Sequence, residues 1–297
     1  MKSRLYLFPL LAALLLIRCG NVAKDKTMIG YPNPRPDTSA LRFLPGIVCS
    51  EALDFNSCFS DDGTTFYFAR SHNGKYRLLE TKFDGHDWSS AKPVTFVDTS
   101  YSNADPFIAT DGSMYFISDM PRDEYDSIRD FDIWKVDPTD SSWSRPVNVT
   151  EVNSDSVEYY VSLAANGNLY FASNREGSLG EHDIFVSRMI DGHYALPENL
   201  GSSVNSINVE HDPLISQDEK ILIFTAVGRV DGLGEADLYY SVRNDASTTW
   251  ETAKNLGSKI NTTTYEYCPN YSPDLQYLFF SSEFDVKWFP VKKLFKK

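Results

Sequence analysis

One pattern occurs five times in this chain, at intervals of 49 to 56 residues. In each copy a β-rich run leads into a short turn that ends in Asp or Asn, often next to Gly, and a second β-rich run follows, as in Pro213–Thr225. This order of residues is typical of a β-hairpin. A regular repeat constrains the fold strongly, because each unit can bury its apolar face only against its neighbours. The five turn residues are Asp62, Asp111, Asn166, Asp218 and Asp274.

A third β-rich run follows each hairpin, as in Asp132–Val136 and Asp237–Ser241, and in the first four units a fourth run begins near an aromatic residue. Four strands per unit at this period predict an all-β fold, a β-propeller of four-stranded blades. The fifth unit ends before a fourth strand can form, and residues 41–48 have no other partner. We therefore predict five blades closed by an N-terminal strand, in a single domain over residues 41–297. Six blades is the alternative.

The repeat follows the order Asp-Pro-x-x-Ser-x-Asp-Gly, then a short apolar run and Ser, and later Asp-Ile-Trp or Asp-Leu-Tyr. This pattern resembles the WD-repeat-like propeller repeats of the TolB type, and Asp212–Thr225 with Asp237–Tyr239 matches it best. The resemblance covers roughly residues 50 to 288. It implies a propeller fold. Because relatives include exported envelope proteins that bind other proteins, it also implies a non-catalytic binding module.

The N-terminus indicates export. An apolar run of 13 residues, Leu5–Ile17, is too short to cross a hydrocarbon core of about 30 Å but has the size of a signal-peptide core. The run leads to Cys19, in a setting that resembles the lipobox of bacterial lipoproteins, although Arg18 stands where a small residue is usual. We expect a signal peptide over residues 1–19, lipidation at Cys19, a tether over residues 20–40, and a membrane-anchored place in the cell envelope. Secretion without a lipid and an uncleaved anchor are the alternatives.

The charge balance limits the partners. The chain carries 41 Asp and Glu against 28 Lys and Arg, a formal charge of −13. Because phosphate contacts need a basic face, this balance argues against nucleic-acid binding and against docking on anionic headgroups. We expect a monomer that binds an envelope protein or a glycan and reaches the membrane only through its lipid. Four Cys are too few for a disulfide scaffold, and a bond between Cys58 and Cys268 is left open.

The sequence contains no zinc-protease, Walker, nucleophile-elbow or Cys-x-x-Cys motif, and we predict no catalytic residue. Aligning the repeats on their turn residues places polar residues in two columns near the start of each inner strand. In a propeller these strands line the central channel, and their first residues lie at its mouth. The first column is Asp54, Asn103, Glu158, Glu210 and Glu266, and the second is Asn56, Asp105, Tyr160, Asp212 and Cys268.

We predict a ligand-binding site at this mouth, comprising the first column together with His211 and Asp212. Uncompensated carboxylates in such a ring repel one another. Three interpretations remain open: locks between neighbouring blades, a ligand or ion site, and the acid and base of a glycan-active hydrolase. No cofactor is expected, although Ca²⁺ suits a ring with surplus charge. Candidate charge partners, which recur after the second strands, are Arg70, Arg122, Arg175 and Arg229.

Overall fold

The computed structural model describes residues 29–140, 142–245 and 249–294. These residues form five four-stranded antiparallel sheets, and the inner strands of successive sheets contact one another in a closed cycle. The predicted all-β propeller with five blades is confirmed. The predicted signal peptide, Cys19 and the first part of the predicted tether lie outside the described residues. Within the described ranges, no helix is long and apolar enough to cross a membrane.

Strands are numbered in chain order, and blades 1 to 4 run in sequence from the inner to the outer strand. The first strand, β1, is Leu41–Arg42. Blade 1 contains β2 (Asp54–Phe59), β3 (Thr65–His72), β4 (Lys75–Lys82) and β5 (Lys92–Pro93). Blade 2 contains β6 (Asn103–Ile108), β7 (Met114–Ser118), β8 (Asp132–Val136) and β9 (Val147–Asn148). Blade 3 contains β10 (Glu158–Leu163), β11 (Leu169–Ser173), β12 (Asp183–Ser187) and β15 (Glu198–Asn199), beside a small ribbon of β13 (Met189–Ile190) and β14 (His193–Tyr194). Blade 4 contains β16 (Val209–Ile215), β17 (Ile221–Val227), β18 (Ala236–Val242) and β19 (Lys254–Asn255). Blade 5 contains β20 (Tyr267–Tyr271), β21 (Tyr277–Ser282) and β22 (Asp285–Pro290), and a 3₁₀ turn, Val291–Lys293, follows.

Strand β1 is the outer strand of blade 5. It pairs antiparallel with β22, with Leu41 opposite Trp288, and the N–H of Phe43 donates to the Val286 carbonyl at 2.9 Å. The paired strand is shorter than the predicted segment 41–48, because the backbone leaves the extended region soon after it and Leu44 has a φ of 48°. Closure removes the free edge that blade 5 would otherwise present.

Apolar side chains of neighbouring blades form the core between the sheets. At the closure Phe43 is fully buried. Its ring centroid lies 4.7 Å from that of Phe66 in blade 1 and 4.9 Å from that of Phe279 in blade 5. Burial of a Phe side chain stabilises a fold by about 2–3 kcal/mol. The residue that follows the closing strand therefore also joins the first and last blades.

The three described cysteines are buried free thiols. Cys58 and Cys268 form no disulfide, which answers the question that the sequence left open. The Cys49 thiol lies 3.1 Å from the Phe43 carbonyl, to which it donates. Burial raises the pKa of this thiol to about 12. These side chains therefore pack as small apolar residues and not as reactive thiolates.

Residues 29–40, the second half of the predicted tether, pack against the propeller. Tyr31 stacks on Trp288 with ring centroids 5.5 Å apart, and its hydroxyl donates to Asp274 Oδ1 at 2.7 Å. Trp88 Nε1 donates to a backbone carbonyl of the segment at 2.6 Å. An aromatic side chain therefore attaches this part of the predicted tether to blades 1 and 5.

Candidate functional site

All five inner strands are bulged at the same position. The pairing of each inner strand with its neighbour shifts register there, and the bulged residue has a φ between 37° and 53°. Such angles are uncommon for residues other than glycine and are strained. The bulged residues are the second predicted column, and they are between 1% and 5% exposed. We call this ring the channel floor: Asn56, Asp105, Tyr160, Asp212 and Cys268.

Hydrogen bonds between blades hold the channel floor together. Asn56 Nδ2 of blade 1 donates to Asp105 Oδ1 of blade 2 at 2.9 Å. The N–H of Cys268 in blade 5 donates to Asp212 Oδ2 in blade 4, also at 2.9 Å. The Tyr160 hydroxyl of blade 3 donates to a backbone carbonyl of blade 5. Because blades 3 and 5 are not neighbours, the buried Tyr160 side chain crosses the channel.

Asp105 and Asp212 are buried carboxylates without a Lys or Arg partner among the described residues. A neighbouring imidazole takes the place of such a partner: His211 Nδ1 lies 2.9 Å from Asp212 Oδ1. Burial, followed by the negative charge of Asp212, raises the pKa of Asp105 to about 7. Asp105 therefore titrates near neutral pH, whereas an ordinary aspartate is fully ionised there.

Aromatic rings surround the opening above the channel floor. The residue just before the bulge is aromatic or His in blades 1, 3, 4 and 5, and it is Ala104 in blade 2. Further rings on adjoining strands and loops extend the set, and successive centroids along it lie 5.0–6.3 Å apart. We call this set the aromatic mouth, and in order of contact it is Phe131, Tyr76, Phe55, Tyr267, Tyr265, His211, Tyr159 and His182.

The carboxylates of the first column are buried and hydrogen-bonded to their own loops. Glu210 accepts from the Ser206 N–H at 2.6 Å, from the Ser206 hydroxyl at 2.7 Å and from Arg229 Nη2 at 2.9 Å. Arg229 also donates to the Val204 carbonyl, in the loop that arrives from blade 3. The same set of acid, Ser and Arg recurs as Glu158, Ser154 and Arg175 in blade 3 and as Asp54, Ser50 and Arg70 in blade 1.

Two blades depart from this set. Glu266 accepts from Thr262 and from Ser282, at 2.8 Å each, and has no Arg partner in the described structure. In blade 2 the column residue is the amide Asn103, which donates to loop carbonyls. Arg122 instead pairs with loop carboxylates, among them Asp155 at 2.9 Å. Since each column side chain is buried and bonded within the fold, its geometry favours the interpretation of inter-blade locks over an open ring.

A loop motif that the sequence analysis did not single out supports these locks. The Asn205 side chain accepts from the Ile184 N–H at 2.9 Å and donates to the Ile184 carbonyl at 3.0 Å, and it thereby extends the hydrogen bonding of β12. Asn153 and Asn261 bond to β8 and β18 in the same way. The available signal was a tripeptide that recurs four residues before the column acid: Val152–Ser154, Val204–Ser206 and Ile260–Thr262.

The structure separates the predicted ligand residues into two groups. His211 and Asp212 lie together at the aromatic mouth and the channel floor, whereas Asp54, Glu158 and Glu210 are bonded to Arg and Ser in the locks. Within the described ranges, no three His, Cys, Asp or Glu side chains are grouped so that they could hold a metal ion.

The loops on the mouth side carry most of the exposed large apolar side chains. These loops join the second strand to the third within a blade, or the outer strand of one blade to the inner strand of the next. Seven of the eleven such side chains in the described structure lie there: Tyr125, Ile128, Leu179, Ile207, Val230, Leu233 and Phe284. The same loops carry exposed carboxylates, which include Glu51, Asp123, Glu124, Asp155, Glu176, Glu181, Asp231, Glu235 and Glu283. We call this surface the mouth face.

These features define the chain as a five-bladed β-propeller whose channel is crossed by a buried tyrosine below an aromatic mouth with two aspartates at its floor. No protein-family model matches the sequence, and a comparison with curated proteins gives no match. The structure is similar to TolB from Acinetobacter baumannii, with a TM-score of 0.50 and 14% identity over 82% of this chain and 55% of that chain. It is also similar to hydrazine synthase of Kuenenia stuttgartiensis, with a TM-score of 0.52 and 17% identity over 81% of this chain and 38% of that one.

A third similar structure is the α-L-arabinofuranosidase PaAbf62A of Podospora anserina, with a TM-score of 0.49 and 9% identity over 85% of this chain and 94% of that chain. The chain spans about half the length of the TolB chain and less of the hydrazine synthase chain. At these identities the likeness concerns the fold. The chain accordingly has a TolB-like β-propeller fold.

Proposed function

We propose that this protein is an exported binding module of the cell envelope, anchored by a lipid on Cys19, and that its mouth face binds another protein. The concentration of exposed apolar side chains on one face carries the proposal. Val230 is fully exposed, Tyr125 is 84% exposed and Phe284 is 70% exposed, and all three project from mouth-side loops. Exposed apolar side chains that cluster within a polar rim are typical of interaction sites.

The charge of the mouth face indicates what kind of surface the partner has. The rim of the mouth face is acidic, and the whole chain has a formal charge of −13. A protein surface with Lys and Arg around an apolar centre would match this face, and opposite charges would speed its association. The TolB-like fold agrees with a binding role, since a propeller of this kind presents one broad face at the channel mouth. A glycan is the alternative partner, because aromatic rings at the mouth could also stack on sugars.

The test compares capture by matched variants. The wild-type chain and a Val230→Ser/Phe284→Ser variant are used to capture proteins from envelope extract, which are identified by mass spectrometry. The control is an Ile190→Ser/Leu196→Ser variant, which changes two exposed apolar side chains away from the mouth face. We expect the wild type and the control to capture the same protein and the mouth variant to lose it. Equal capture by all three would exclude the mouth face as the binding surface.

A second candidate function, a glycan-active hydrolase, is favoured by one observation. Asp105 and Asp212 are both buried in the channel floor, and burial together with the charge of Asp212 raises the pKa of Asp105 to about 7, which is the range in which glycosidases hold their general acid. The glutamates of the first column, Glu158, Glu210 and Glu266, are instead held in hydrogen bonds with loop residues. Release of reducing ends from an oligosaccharide panel, abolished by Asp105→Asn, would support the hydrolase. No release by the wild type would reject it.

A further inference from the structure

We propose that Asp105 and Asp212 together bind one cationic group of the ligand, a primary ammonium or a guanidinium. This inference rests on the proposed function, because it names the chemistry of the group that the mouth admits. The ligand would place the cation at the channel floor while its remaining surface covers the mouth face. The two carboxylates come from blades 2 and 4, and one ligand group would therefore join the two sides of the ring.

The first support is a contrast between the two columns. Asp54, Glu158 and Glu210 are buried, and each has an Arg of its own within 3 Å. Asp105 and Asp212 are as deeply buried, yet no described Lys or Arg pairs with either. A buried carboxylate without a cation is costly. Three of the four lock carboxylates in the first column thus have an Arg, the fourth, Glu266, is bonded to Thr and Ser hydroxyls, and neither channel-floor carboxylate has a Lys or Arg in the described structure.

The second support is an unpartnered acceptor. The Asn56 side chain is 1% exposed, its Nδ2 donates to Asp105, and its Oδ1 has no hydrogen-bond partner in the described structure. The Asn56 amide oxygen is thus an unpartnered acceptor at the channel floor, and the carboxylates of Asp105 and Asp212 can accept further hydrogen bonds beside those they already accept. A group rich in N–H donors satisfies all three, since an ammonium offers three N–H and a guanidinium five. Ca²⁺ needs six to eight oxygen ligands.

The third support is the surroundings of Asp212. The rings next to Asp212 are aromatic: His211 Nδ1 lies 2.9 Å from Asp212 Oδ1, and the His211 ring lies 5.9 Å from that of Tyr159 and 6.0 Å from that of Tyr265. Aromatic faces attract cations by roughly 1–2 kcal/mol when water is excluded. Neutral ligands of the same shape would lack this attraction and would leave the carboxylates uncompensated.

Binding of the cation is coupled to release of a proton. The titratable groups that face Asp105 are Asp212, His211, Cys268 and the hydroxyls of Tyr159, Tyr160 and Tyr267. In the free protein, burial and Asp212 raise the pKa of Asp105 to about 7. A bound cation favours the ionised carboxylate, and the affinity should therefore rise as the pH increases through 7.

The test uses agmatine, which carries an ammonium and a guanidinium, and n-butanol as its neutral counterpart. The side-chain carboxyl carbons of Asp105 and Asp212 are followed by NMR across pH 5–9 in the full chain. We expect agmatine, but not n-butanol, to bind and to lower the apparent pKa of Asp105. We expect Asp105→Asn and Asp212→Asn each to weaken agmatine binding by roughly tenfold or more, and Glu198→Gln, at an exposed position on the outer strand of blade 3, to change it less than about twofold.

Equal binding of agmatine and n-butanol, or unchanged binding by Asp105→Asn, would overturn the proposal. So would tight binding of Ca²⁺ that depends on Asp105 while agmatine does not bind. Two isosteric Asn variants are used so that misfolding of one leaves the other as a test. The proposed function fails separately, if Val230→Ser/Phe284→Ser still captures the partner while agmatine binding depends on Asp105. If partner capture depends on the mouth face and agmatine does not bind, only the cation site is wrong.

Discussion

The ring of Tyr31 lies 5.5 Å from that of Trp288, at an angle of 15°. This stacking attaches the segment before β1 to β22, the strand with which β1 pairs. Tyr31→Ala should lower the free energy of unfolding by about 2–3 kcal/mol, because it removes a half-buried ring and a hydrogen bond to Asp274. Tyr125→Ala, at an exposed position, should change it by less than about 0.5 kcal/mol. Urea denaturation of both variants measures the difference, and equal values would show that the segment is not docked.

Truncation tests the closing strand separately. Removal of residues 20–36 should lower the melting temperature, since it deletes Tyr31. Removal of residues 20–49 should lower it much further, because blade 5 loses its outer strand and presents a free edge. Thermal scans of the two truncated chains provide the comparison. Equal melting temperatures would exclude β1 as a stabilising strand.

Glu210→Gln should destabilise the fold by about 2–4 kcal/mol, because it leaves Arg229 partly buried without its carboxylate. The matched control is Glu198→Gln, which removes an exposed pair with Arg188 and should cost less than about 1 kcal/mol. Chemical denaturation of both variants distinguishes a lock from a ligand site. If Glu210→Gln folds as stably as the control, the interpretation of Glu210 as a lock is wrong.

Asn205→Ala should cost about 1–3 kcal/mol, because it leaves the buried N–H of Ile184 without an acceptor, while the Ile184 carbonyl keeps its hydrogen bond from the Leu200 N–H. Asn208, in the same loop, makes one exposed hydrogen bond to the Gly228 carbonyl. Asn208→Ala should therefore cost less than about 1 kcal/mol. Hydrogen exchange of the Ile184 amide offers an independent readout: its protection should fall in the first variant only.

The stability should depend on pH through Asp105. Its pKa is raised from 3.8 to about 7 in the fold, so the native state binds the proton more tightly than the unfolded chain does. Stability therefore falls as the pH rises from about 4 to about 7, and the penalty is complete above that. Asp105→Asn should be more stable than wild type at pH 8, by up to about 4 kcal/mol, and should lose this advantage at pH 4.

The pKa of Asp132 is raised to about 7 as well, and the stability of the variant should therefore still depend on pH to some extent. A wild-type slope that the variant retains in full would contradict the assignment to Asp105.

Cys19→Ser should release the protein from the membrane fraction and abolish acyl labelling, because two or more acyl chains are needed for stable anchoring. Fractionation and metabolic labelling of wild type and variant provide the measurement. A soluble wild-type protein with a mature N-terminus elsewhere would contradict lipidation, and Arg18 would be the residue to change next.

The blades and their closure could be read from the sequence because both depend on local order. The hairpin turn at Asp218 recurs in every unit, a third strand with Asp at its start, as at Asp237, recurs in four of the five, and the missing fourth strand of the last unit identifies β1 as its replacement. Such features need no knowledge of distant contacts.

The site was predicted only in part, because its chemistry depends on contacts across the ring. Glu210 and Asp212 stand two positions apart and look equivalent in sequence. The bulge separates them: Glu210 is paired with Arg229, while Asp212 faces Asp105 from a blade that is 107 residues away in the chain. The docking of Tyr31 was missed for the same reason, since its partner Trp288 lies at the other end of the chain.

The position of Tyr31 also shows on which side of the propeller the N-terminal segment lies. It bonds to Asp274, in the β20–β21 turn, and Ile29 packs against Gly63, in the β2–β3 turn. Both turns are at the ends of the inner strands opposite to the aromatic mouth. From Cys19 to Ile29 the chain can extend at most about 35 Å. A lipid on Cys19 would therefore hold the side of these turns toward the bilayer, and the mouth face would point away from it, available to molecules that arrive from the surrounding compartment.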